Sequence, residues 1–294
     1  MRRFVLAFAL AALSGAAPAQ FGGIDLGRVL DLGKKVVKGA EASRDLSTDE
    51  EVALGEAVTS GFLGAAPLHR DRDLQRYVNR VGRWLASNSD RPDLPWSFGV
   101  IDTETINAFA MPGGYVIVSS GLVKRLASES ELAGVLAHEI AHVVKRHQLQ
   151  AIQSSQKSEL LTSITKEVAA EAISRRGGGY AAQQVKTWAS NMAQDLIKDG
   201  FFLRPLDRSM EVEADQLAIA IAARSGYDPF GLVAALQMLA QHKGDADAAS
   251  VFSTHPPAAE RLSELERLAP SMERYAANPR NESRFRKAVA VLGR

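Results

Sequence analysis

Between residues 72 and 88, RDLQRYVNRVGRWLASN places Leu74, Tyr77, Val78, Val81 and Leu85 three or four positions apart. Charged and polar residues fill the gaps, so the stretch predicts an amphipathic helix with one core-facing stripe. Upstream, STDEEVALGEAV predicts a helix start, with Ser47 or Thr48 as the cap and acids in the first turn. The pattern then shortens. WSFGVID and GYVIVSS are strand-length runs of β-branched and aromatic residues, separated by a tight-turn signal at Pro112, Gly113 and Gly114. Together they predict a small antiparallel sheet set between helices.

SESELAGVLAHEIAHVVKRH is apolar almost all round, with Ser128 and Glu131 at capping-box spacing. It predicts a largely buried helix from about Glu129 to His147 or beyond. Residues 148–200 are helical in propensity but broken by RRGGGY, and predict a mobile helical hairpin inserted in the domain. A further helix is expected from Ser209 to Arg224, ending before Gly226, and another begins at Asp228 and Pro229. No fixed period recurs, which excludes a helical repeat array. The expected organisation is a leader at 1–19, a lead-in at 20–46, one α+β domain at 47–270 and a helical tail at 271–294.

Composition narrows this picture. With 46% hydrophobic and 23% charged residues, the 294-residue chain can bury a substantial core. The first residues combine Arg2 and Arg3, an apolar run from Phe4 to Leu13 and an A-x-A pattern at Ala17 and Ala19, which predicts an export signal cleaved near Ala19. That run is about half of the roughly 20 residues needed to span a bilayer, so no integral membrane span is expected. The absence of cysteine excludes disulfides, thiolate ligands and a lipid-modified cysteine. Loss of the two leader arginines takes the bases from 35 to 33 against 34 acids, a balance that argues against a nucleic-acid partner.

The chemistry concentrates in HEIAH. His138 and His142, four positions apart on a helix, lie about 40° apart and one turn along the axis, so both imidazoles reach one ion. Glu139 beside them has the position of a general base for a metal-activated water. His147 falls about 140° from His142 on a continuous helix, and is expected to point away from the ion as a hydrogen-bonding or surface histidine. A third ligand must come from elsewhere, and SMEVEADQLAIAIAA offers Glu211, with Asp215 on the same face to accept a ligand imidazole's other N–H. Glu213 lies on the opposite face and reads as a solvated first-turn acid. His255 reads from its neighbours as a loop histidine before two prolines.

These pieces resemble the zinc metallopeptidases of family 48, typified by HtpX, BepA, LoiP and the CAAX prenyl proteases. The matching segments are NAFAMPGGYVIVSSGL, ELAGVLAHEIAHVVKRH, EVEAD and STHPPAAERL, in family order. The resemblance implies a mainly helical, gluzincin-type zincin domain that binds one Zn2+ through His138, His142 and Glu211, with Glu139 as catalytic base. It implies that His255 occupies or lines the fourth zinc position and that Arg261 reaches into the site, both taking part in catalysis. It also implies that Asn107, Ala108, Phe109, Gly114 and Tyr115, around an edge strand, bind an extended substrate through backbone pairing. The membrane spans, lipobox and helical-repeat domain of other branches are missing from the sequence. The expectation is therefore a soluble periplasmic peptidase of the BepA-like type, acting on unfolded polypeptide in quality control and latent if His255 plugs the site, with outer-membrane protein assembly machinery as a partner. The rival reading is a periplasmic chaperone or assembly factor whose zinc is mainly structural, closed by four protein ligands.

Overall fold

Residues 46–154, 204–242 and 255–293, with parts of 183–200, are described by a computed structural model. They fall in one unit, Ala42–Arg294. The expected leader, nearly all of the lead-in and most of the expected hairpin lie outside the described residues.

Helix α1 (Thr48–Ala65) starts where Ser47 and Glu50 form a reciprocal capping box. Helix α2 (Arg72–Ser87) starts at Asp71, whose carboxylate accepts from Leu74 N at 2.7 Å. All five residues of its predicted stripe are buried. Each aliphatic side chain removed from water in this way stabilises the fold by about 1.5–3 kcal/mol.

Strands β1 (Ser97–Ile101), β2 (Ala108–Met111) and β3 (Tyr115–Ser119) form a sheet in the order β1-β3-β2. The sheet is mixed, not antiparallel: β3 runs parallel to β1 and antiparallel to β2. The cause is β2, a third strand lying between the two that the pattern predicted. It reverses the chain once more, so β3 returns in the direction of β1 and inserts between its neighbours. Alternation divides the sheet's faces. Val100, Val118, Ala108, Val116 and Ala110 point to the larger core, while Ile101, Ile117 and Met111 join a second core with Leu54 and Val58 of α1.

After the short helix α3 (Ser120–Arg125) comes α4 (Glu129–Val144), on the larger-core face of the sheet, where Ser128 caps it through Glu131 N. The small side chains Ala108 and Ala110 let α4 approach β2. Helices α6 (Arg208–Arg224) and α7 (Phe230–Gln241) pack on α4 from other sides. Gly134 of α4 and Gly231 of α7 meet backbone to backbone. A Cβ on Gly231 would lie 2.1 Å from Ser130 O, and one on Gly134 2.5 Å from Leu232 N. Only glycine permits so close a crossing.

Helix α4 stops earlier than predicted. Arg146 adopts a left-handed conformation (φ 58°), and a new helix, α5 (His147–Ser154), leaves in another direction. That conformation costs a non-glycine residue roughly 1–2 kcal/mol, and long-range contacts hold it. The Arg146 guanidinium donates to Leu46 O, and its Nε lies 3.3 Å from a carboxylate oxygen of Glu51 on α1. Arg91 donates to both oxygens of Glu51, at 2.9 Å each, and to Val143 O at the end of α4.

The remaining helices, α8 (Ala258–Glu266), α9 (Ala269–Met272) and α10 (Glu282–Val289), return the chain to the core, where Phe285 and Val289 are fully buried. The start of α4 is fastened here. Buried Glu129 accepts from Tyr77 Oη at 2.7 Å and Tyr227 Oη at 3.0 Å, and is contacted by Arg284 of α10.

Candidate metal centre

Two helices and the segment leading into a third bring their polar groups to one point. His138 and His142 project from α4, Glu211 from the first turn of α6, and His255 from the approach to α8. One donor atom from each lies within 4.8 Å of the others. His138 Nε2 is 3.0 Å from His142 Nε2, Glu211 Oε2 is 3.5 Å from His138 Nε2, and Glu211 Oε1 is 3.4 Å from His142 Nε2. Donors about 2.0–2.1 Å from a tetrahedral zinc lie roughly 3.3–3.4 Å apart. The two imidazoles and the carboxylate fit that spacing. His255 Nδ1, 2.9 Å from Glu211 Oε2, closes the group from the fourth side.

Electrostatics match the donor set. Burial pushes Glu211 up, but His255 and His138 outweigh it and hold the carboxyl well below the usual range. Burial and neighbouring His138 pull His142 well down, so its ring is neutral, as a metal ligand requires. Burial and Arg261 act to lower His138, yet the Asp215 carboxylate pushes it up to about 9, so a metal entering at neutral pH displaces a proton there. Glu139 is buried and lies 3.9 Å from His255 Nε2; desolvation pushes its carboxyl up.

Each imidazole on α4 has its own outer partner. His138 Nδ1 lies 2.9 Å from Asp215 Oδ1. Arg261 grips the same carboxylate, its Nε donating to Oδ2 at 2.9 Å and one Nη to Oδ1. Its other Nη lies 3.9 Å from Glu211, toward the donor group. His142 Nδ1 lies 2.9 Å from His147 Nδ1, and His147 Nε2 lies 3.3 Å from Glu213. His147 is thus a hydrogen-bonding histidine outside the donor group, as expected, but the helical wheel did not place it beside His142. The wheel assumes one continuous helix, and the left-handed turn at Arg146 swings His147 back to its neighbour. Glu213 is about half exposed but engaged, with Lys145 Nζ at 2.7 Å. The signal that sequence reasoning left unused was the pair of residues itself, a third histidine and a third acid in the two metal-bearing segments.

The expected substrate residues separate. Tyr115 is the first residue of β3, the central strand, both of whose sides are paired, and Gly114 directly precedes it; neither is on an edge. Ala108 and Phe109 are on the edge strand β2, and Asn107 directly precedes it. Ala108 lines a small cavity with His138, Glu139, His255 and Arg261. Phe109 turns to the other face and packs on Phe62, 5.5 Å between ring centres. The other edge is occupied: the Gln75 amide takes both Val100 N and Val100 O, and Asn79 accepts from Phe98 N.

A buried helix presenting H-E-x-x-H, completed by a glutamate from a second helix and flanked by a small sheet, is the arrangement of a zincin-type metal site. The chain belongs to peptidase family M48, whose profile matches residues 71–269. It is 31% identical to a beta-barrel assembly-enhancing protease of Yersinia pestis over 262 residues, 87% of this chain and 51% of that protein. The corresponding protein of Escherichia coli strain K12 is 31% identical over 236 residues, 80% of this chain and 47% of the relative. A mitochondrial metalloendopeptidase of Schizosaccharomyces pombe is 30% identical over 198 residues, 67% and 53% respectively. The chain thus spans about half the length of these curated relatives. Among the described residues, no helix is long and apolar enough to cross a membrane.

Proposed function

We propose that this chain is a zinc-dependent endopeptidase of the periplasm. Its substrates are unfolded or misassembled envelope proteins, cleaved in extended form as quality control, and His255 plugs the zinc site at rest. The observation that carries the reading is Glu139, a buried carboxylate beside a four-donor metal group and open to the same cavity as an edge strand. A metal that only braced the fold would give a buried carboxylate in that place nothing to do. His138, His142 and Glu211 would hold the ion. When bound, zinc supplies Lewis acidity, lowering the pKa of a coordinated water and polarising the scissile carbonyl. Glu139 takes the proton from the attacking water and delivers it to the departing amine. The Arg261 Nη not engaged with Asp215 offers positive charge to the developing oxyanion.

Substrate alignment falls to β2, whose outer side adds an extended segment by main-chain pairing, which reads few side chains and suits unfolded polypeptide. The names of the relatives from Yersinia pestis and Escherichia coli suggest outer-membrane protein assembly machinery as a partner. His255 reaches Glu211 at hydrogen-bond distance, which supports latency: the residue must withdraw before substrate enters. The same closure by four donors favours the second reading, a chaperone or assembly factor with structural zinc. Glu139→Gln decides between them. It is expected to retain zinc and lose casein cleavage, and undiminished cleavage would end the mechanism. His255→Ala is expected to raise activity if the residue is a plug, whereas lower activity makes it a participant in catalysis.

A further inference from the structure

We propose that His147 and Glu213 are positioning residues for the metal ligand His142, joined in a hydrogen-bonded arm that runs from the metal centre to the protein surface. The inference rests on the reading of His142 as a ligand. Its Nε2 faces the other donors, 3.0 Å from His138 and 3.4 Å from Glu211, so the ring's proton belongs on Nδ1. That N–H donates to His147 Nδ1 at 2.9 Å, leaving the His147 proton on Nε2, which donates to the Glu213 carboxylate at 3.3 Å. One proton per ring, each directed outward, satisfies every contact, and the series ends on the Glu213 carboxylate, whose other oxygen lies 2.7 Å from Lys145 Nζ. His147 is fully buried, and its location depends on the left-handed Arg146 held by Glu51 and Leu46 O. A partner of this kind fixes the tautomer and orientation of a ligand imidazole and strengthens it as a donor.

The test uses the full chain, with zinc affinity measured by competition with a chromophoric chelator and ligand geometry by the d–d absorption of the cobalt(II)-substituted protein. His147→Leu is expected to weaken zinc binding about 10–100-fold and to alter the cobalt spectrum. His147→Asn places a carbonyl acceptor where Nδ1 lies and is expected to recover most of the loss, which a purely space-filling role would not predict. Glu213→Ala, at a half-exposed position, is expected to weaken binding by about tenfold and to add nothing in the His147→Leu background. Wild-type affinity and spectrum in Glu213→Ala would overturn the proposal, and so would an Asn variant no better than Leu. If His147→Leu does not fold, Glu213→Ala alone decides. A His142→Ala control separates the two levels. Loss of zinc there alongside an unaffected Glu213→Ala overturns only the arm, whereas zinc bound as in the wild type removes His142 as a ligand.

Discussion

The two histidines on α4 occupy like positions one turn apart, yet their outer partners differ in kind. Behind His138 stand Asp215 and Arg261, both buried, with the guanidinium gripping the carboxylate through two nitrogens. Behind His142 stands a neutral imidazole, His147, followed by a carboxylate that water reaches. The first support is an ion pair in a low-dielectric setting, costly to assemble and very costly to halve. The second loses little to desolvation, because its charge sits at the rim. The centre thus combines one rigid, highly charged brace with one lighter brace that ends at the surface.

The largest effect is expected from Asp215→Ala, which leaves Arg261 charged and buried without its partner. Breaking a buried pair costs about 3–5 kcal/mol, and chemical denaturation should show a loss of that order together with weaker zinc binding. A loss below about 1 kcal/mol would mean that the two supports are energetically alike.

Acid should act on the same brace as well as on Glu211. Burial raises the Asp215 pKa, but Arg261 and His138 hold it well below its ordinary value. A depressed carboxyl contributes stability that is fully present above the unfolded value, about 3.9, and is lost as pH falls toward the folded one. Below about pH 4, the thermal midpoint of the chelator-treated wild type should therefore fall more steeply than that of Asp215→Asn. Parallel curves would place the acid-sensitive groups elsewhere.

The smallest effect belongs to the outer end of the second support. Lys145 and Glu213 form an exposed pair, and Lys145→Ala should change stability by less than about 1 kcal/mol. A larger loss in the same denaturation measurement would show that the rim charge contributes on the scale of the buried one.

Much of this was legible where the governing forces are local. The stripe of α2, the cap at Ser128 and the His138–His142 pair each depend on spacing within a few residues. Glu211 and Asp215 were found because four residues on a helix share a face. The parallel pairing of β1 with β3 was not legible, because β2 is only AFAM, a run too short and too apolar to alternate. Nor was the place of His147. The backbone angle that sets it is held by Leu46, 100 residues away, and by Glu51 on another helix. The place of His255 beside Glu211 was expected from family likeness alone, since a histidine before two prolines carries no metal signature of its own.

The left-handed turn at Arg146 also ties the surroundings of His142 to a distant part of the chain. The contacts around it come from Leu46 O and from Glu51, and Glu51 belongs to the first described helix, which packs on the other face of the sheet from α4. The two imidazoles of H-E-x-x-H are brought together by α4 alone, whereas the surroundings of the second draw on α1 as well. Substitutions on α1 that touch no histidine are thus able to change how the metal is held.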